Sequence, residues 1–141
     1  MEPEHDLQEH LNALREHRTI LFPLGEGRVL AADATSDEAV LLLAAKAKEQ
    51  GAYCVLVAEE QDILQYVAAP DPALFDYLEE QEQPVTVWYE GVIGLSEHIP
   101  ETNGAIPIRI EKDTLTRALV KRLGKPLFTV PVMEQMASCR Q

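Results

Sequence analysis

The segment Tyr53 to Ala58 (YCVLVA) is an unbroken apolar run bounded by turns. A strand with one face in water alternates apolar and polar residues. A run without alternation fits a strand covered on both faces. Such a strand needs a layer above it and a layer below it, and helices are the usual cover in α/β proteins. The rest of the chain must therefore provide helices, and its patterning does.

Asp6 is placed to cap a helix that carries Leu7, Leu11 and Leu14 on one face, with Glu9 three residues after the cap. Thr19 to Leu24 reads as a strand ended by Pro23, Gly25-Glu26-Gly27 as a turn, and Arg28 to Ala32 as a resumed strand. Ser36 opens an alanine- and leucine-rich helix, with Asp37 and Glu38 in its first turn and Lys46 and Lys48 near its end. Gly51 stops it. Asp62 to Val67 is a short helix. Asp71-Pro72 is a cap followed by proline, with Leu74, Phe75 and Leu78 as the apolar stripe. Val85 to Tyr89 is β-branched and aromatic, and Gly91 to Asn103 is a loop. Ile106 to Ile110 alternates, with three isoleucines on one face and Pro107 and Arg109 on the other. Asp113 caps a helix through Leu123 that ends at Gly124, and Leu127 to Val132 is a last strand interrupted by Pro131. Strand and helix alternate without repeats. The expected fold is one α/β domain over residues 1–141: an open, twisted, mixed sheet covered by helices, with several parallel neighbours.

Charge limits the partners. The net charge is −12, unevenly spread. Residues 1–108 hold five basic and 21 acidic side chains, whereas 109–125 hold six basic and two acidic ones. So acidic a surface repels polyanions, which argues against broad nucleic-acid binding. It leaves 109–125 as the segment where a nucleotide or small anion would dock, near Arg109 and the helix start at Asp113. No apolar run is long enough to span a bilayer, and the polar start Met-Glu-Pro-Glu-His-Asp is unlike a secretory leader, so the cytoplasm is the expected location.

The usual chemical motifs are incomplete. Gly25-Glu26-Gly27 follows a strand, but Leu30 stands where a dinucleotide loop needs its third small residue, so a plain hairpin is expected. His10 and His17, seven apart, are two histidines of one helical face without a third ligand, so no metal site is expected. Ser96-Glu97-His98 lies in a loop and earns no catalytic role. Glu79, Glu80 and Glu82 read as a solvated helix end, and Trp88 and Tyr89 as core and sheet-face residues. Cys54 is expected to be buried, and Cys139 loose near the end.

Four stretches carry a further signal. They are Thr19 to Val40 (TILFPLGEGRVLAADATSDEAV), VLVAEEQDILQYV, QPVTVWY and IPIRIEKDTLTRALVKRLGKPLFTV. In this order they resemble the YrdC family, the threonylcarbamoyl-AMP synthases of tRNA modification. The similarity runs over roughly residues 12–132. It implies an α/β domain whose concave sheet surface holds ATP and threonine and joins them with bicarbonate into a threonylcarbamoyl adenylate. Asp33, Thr86 and Arg109 match family positions, and the resemblance implies Thr86 and Arg109 as ligand contacts. The family's Lys-x-Arg corresponds at best to Lys46-Ala47-Lys48, with a one-residue shift, so Lys46 and Lys48 are the remaining candidates.

The departures fall on the chemical residues. Where the family loop reads Thr-x-Thr-x-Tyr-Gly after its proline, Pro23 is followed by Leu24, Gly25, Glu26, Gly27, Arg28 and Val29. The family's final Ser-x-Asn is Pro131-Val132-Met133. The expectation is a divergent YrdC-like domain without catalytic residues, acting through a protein partner or an altered small ligand. The alternatives are an active synthase with substituted contacts and a nucleotide-binding domain without turnover. ATP as a bound group follows from the resemblance alone.

Overall fold

The computed structural model describes residues 3–25, 27–68 and 71–132 of the chain. Met133 and Cys139 lie outside the described residues. The chain opens with α1 (Pro3–Arg15), a β-hairpin of β1 (Ile20–Leu24) and β2 (Gly27–Asp33), and α2 (Asp37–Gln50). Then come β3 (Cys54–Val57), α3 (Glu60–Tyr66), α4 (Pro72–Glu80), β4 (Thr86–Glu90), β5 (Ala105–Ile110), α5 (Thr114–Leu123) and β6 (Leu127–Pro131).

Local chemistry explains most boundaries. Ser36 accepts a hydrogen bond from the Ala39 N–H, and Gly51 ends α2 in the left-handed region at φ 65°. Asp71 and Asp113 cap α4 and α5 through the N–H groups of Ala73 and Thr116. One expected helix start differs. Helix α1 begins at Pro3, upstream of Asp6, because proline in a first turn needs no partner for an N–H it lacks. His17 falls beyond α1, at φ 64°, so it does not share a helical face with His10. Its Nδ1 lies 2.8 Å from the Ser36 hydroxyl. Pro23 sits inside β1 rather than ending it, and an edge strand tolerates the missing donor. Leu24 pairs with Gly27, which closes the hairpin over two residues as expected.

The six strands form one mixed sheet in the order β1-β2-β6-β3-β5-β4. Only β3 and β5 run parallel among the described strands; the β1–β2, β2–β6, β3–β6 and β4–β5 pairs are antiparallel. The expectation of several parallel neighbours is therefore corrected. Alternation of strands and helices says that helices link the strands. It does not say that β6 inserts between β2 and β3, antiparallel to both.

Two clusters bury the two faces. On one, Val55, Val57, Ile106, Ile108, Phe128 and Val130 pack under α2, α3 and α4 through Val40, Leu43, Ile63 and Leu78. On the other, Ala31, Leu56 and Leu127 pack under α1 and α5 through Leu7, Leu11, Leu14 and Leu119. The expected apolar faces of α1 and α4 are thus the packed ones. No helix among the described residues is long and apolar enough to cross a membrane.

Leu119 is fully buried between α1, α5 and the sheet, whereas Leu42 on α2 is 67% exposed. Leu119→Ala is expected to lower the unfolding free energy by about 2–5 kcal/mol through lost burial and a residual cavity. Leu42→Ala is expected to change it by less than about 0.5 kcal/mol. Urea unfolding of both variants checks this, and similar losses would contradict the assignment of the second core.

Candidate functional site

Helices α1 and α5 cover only part of their sheet face. Where that cover stops, the sheet floors a cleft of about 520 Å³, within the range of small-ligand sites. Alternation supplies the floor. Cys54 precedes Leu56 by two residues on β3, Thr129 follows Leu127 by two on β6, and Thr86 and Trp88 alternate with Val87 and Tyr89 on β4. On β5 the isoleucines face the opposite core, so Pro107 and Arg109 face the cleft, as the sequence pattern indicated. Continuing the same spacing brings Glu111 to this face as well.

The cleft lining contains an ion pair. Arg109 Nε lies 3.3 Å from Glu111 Oε2, with the arginine side chain 25% exposed and the glutamate 5% exposed. Neither atom has a hydrogen-bond partner among the described residues. The other glutamate oxygen accepts from the Asp113 N–H at 3.4 Å. Thr86 is the cross-strand partner of Arg109, and Trp88 that of Pro107. The Trp88 ring is half exposed and meets Tyr53 edge to face at 6.1 Å, so it is a cleft residue while Tyr89 is core. Thr129 Oγ1 donates to the Cys54 carbonyl at 2.8 Å. Arg109 is the one basic side chain among the described residues that line the cleft.

The sequence candidates thus separate. Thr86 and Arg109 come together. Lys46 and Lys48 are exposed on α2, which packs against the opposite face of the sheet. Asp33 is occupied locally, since its Oδ1 accepts from the N–H and hydroxyl of Thr35 at 2.8 and 2.7 Å. Asp113 and the first turn of α5 do not line the cleft, and the Asp113 carboxylate already accepts from the Thr116 N–H and hydroxyl. Ser96 accepts from the His98 N–H, an ordinary turn contact. No group of three or more His, Cys, Asp or Glu among the described residues is arranged to hold a metal. Glu79 stands close to Glu60 and, through their hydrogen bond, burial and mutual repulsion, raises the Glu60 carboxyl above its usual range. Sequence reasoning missed Glu111, Thr129 and the cleft position of Cys54. The two-residue period, extended from Arg109 and Leu56, was the signal that would have found Glu111 and Cys54.

A triphosphate fits this lining poorly. Such a group needs several cations, and the described lining residues supply a single one, already paired with a carboxylate.

Cys54, expected to be buried, is only partly so and borders the cleft. Burial pushes its thiol up from about 9.0 to about 11, against the opposing pull of Arg109. The thiolate is the disfavoured form in the folded state. The contribution to stability is therefore complete below pH 9 and lost as the pH rises from 9 through about 11. In a Cys139→Ser background, alkylation of folded protein by iodoacetamide is expected to be slow at pH 8. Its rate is expected to keep climbing beyond pH 10, where an ordinary thiol has levelled off. A plateau near pH 9 would show that burial does not govern this thiol.

No family model matches the chain, and no curated protein matches it in sequence. Solved structures do match in shape. Full-length HypF in its phosphate- and nucleotide-bound form superposes with a TM-score of 0.73 at 19% identity, over 88% of this chain and 20% of that one. Sua5 of P. abyssi in complex with L-threonine gives 0.73 at 12% identity, over 90% and 38%. YciO of E. coli gives 0.72 at 14% identity, over 92% and 65%. The chain spans between one-fifth and about two-thirds of the length of these proteins. The sheet order, its helical cover and these superpositions together identify the chain as an α/β domain with a YrdC-like fold.

Proposed function

We propose that this chain is a YrdC-like binding domain that does not make threonylcarbamoyl adenylate and holds a small ligand in its sheet cleft. The observation that carries the reading is the charge of the described cleft residues: one arginine, Arg109, at 3.3 Å from the buried Glu111. Adenylate formation develops negative charge on transferring phosphates, and enzymes offset it with preorganised cations. The residues corresponding best to the family's basic pair, Lys46 and Lys48, project from the far side of the sheet. The threonines of the family's proline-led loop are replaced by Leu24 and Glu26, which removes polar contacts to the amino acid. What remains suits a ligand with a modest polar group and an apolar body. Thr86 and Arg109 supply the polar contacts, and Trp88, Tyr53 and Pro107 the apolar wall. In this reading the domain serves tRNA modification, or another process, through the molecule it holds or the protein it meets.

The test is pyrophosphate release from ATP in the presence of threonine and bicarbonate. No release above background is expected, since losing one such contact commonly costs about a hundredfold and several are replaced together. Threonine- and bicarbonate-dependent release would establish an active synthase instead. Saturable ATP binding by calorimetry without release would establish a nucleotide-binding domain without turnover.

A further inference from the structure

We propose that Glu111 is a specificity-determining residue that makes the cleft reject polyanions and admit a ligand carrying at most one net charge. The inference rests on the reading of the cleft as a ligand site and names the ligand class it selects. Its evidence is the placement of a carboxylate where it serves the fold little. Glu111 is 5% exposed, and burying a carboxylate is costly unless the charge is compensated. The adjacent helix does not need it as a cap, because Asp113 already receives the N–H and hydroxyl of Thr116. The Glu111 Oε1 contact to the Asp113 N–H is long, at 3.4 Å, and Oε2 has no hydrogen-bond partner among the described residues. The neighbouring charge is Arg109, two residues back on the same face of β5, with Nε at 3.3 Å.

The consequence is electrostatic. Among the described lining residues Arg109 alone would leave one net positive charge; with Glu111 beside it these charges cancel. Two unit charges a few ångströms apart in a partly buried site interact strongly enough to dominate the choice of ligand. A phosphate chain entering the cleft meets the glutamate as well as the arginine. An uncharged or singly charged molecule meets a compact dipole, two hydroxyl-bearing strands and the Trp88 wall. Arg109 Nε is shielded from solvent, so such a ligand contacts the rest of the guanidinium.

The experiment is calorimetric titration of inorganic pyrophosphate into the full chain and three variants, each checked for native circular dichroism. E111Q keeps the shape of the side chain and removes its charge. T86K adds a cation at an exposed strand position across from Arg109 without touching Glu111. The third is the double variant R109Q/E111Q. E111Q and T86K are each expected to bind pyrophosphate at least about tenfold more tightly than the parent, and the double variant is expected to lose that gain. A folded E111Q with parental affinity, or a gain that survives in the double variant, overturns the proposal. If E111Q does not fold, T86K decides: parental affinity there means that charge is not what excludes the anion. Threonine-dependent pyrophosphate release by the parent would overturn the binding-domain reading and is scored separately, because it is measured without any variant.

Discussion

The structure depends on the double-sided burial of its central strands. β3 and β6 place Val55, Val57, Phe128 and Val130 on one face and Leu56 and Leu127 on the other, all at most 1% exposed. Burying a Val, Leu or Phe side chain contributes about 1.5–3 kcal/mol, so both faces of the sheet centre are strongly driven out of water. Neither face is covered by the strands themselves. Helices α2, α3 and α4 are thereby required on one side and α1 and α5 on the other. Their caps and apolar stripes make them good helices, but tertiary packing is what holds short helices of this kind.

The cleft follows from the unequal extent of the two covers. The isoleucines of β5 and the tyrosine of β4 are buried beneath the first layer. The second layer lies over β1, β2 and the middle of β3 and leaves the other end of its face open. Positions that alternate with core residues there carry polar side chains instead: Thr86, Arg109, Glu111 and Thr129. A polar residue under a helix would lose its hydration without compensation, whereas one at the open end keeps water or a ligand as partner. Two of the four are buried and find compensation within the protein: Thr129 donates to the Cys54 carbonyl, and Glu111 has the Arg109 guanidinium beside it.

How much of this could be read beforehand differs by element. Caps at Ser36, Asp71 and Asp113 were legible because side chain and first-turn residues adjoin in sequence. That Arg109 lies opposite the isoleucine face of its strand was legible from alternation, and strand pairing alone made Thr86 its neighbour. Lys46 and Lys48 were placed by motif position, and the direction in which α2 presents them is a property of its packing. Glu111 was counted as one acid in a basic segment, because charge summed along the chain carries no information about which two side chains meet.

The sequence by itself determined the strands, the capped helices and the face each strand presents, because these depend on periodicities of two and 3.6 residues and on contacts a few positions apart. The tertiary structure decided the order of the described strands, the parallel pairing of β3 with β5 and the insertion of β6 at the centre of the sheet. It decided as well that Arg109 and Glu111 stand 3.3 Å apart in the cleft while Lys46 and Lys48 lie on the helix that covers the opposite face. Those outcomes arise from pairing between segments far apart in the chain, and local sequence exerts no force over that distance until the chain has closed on itself.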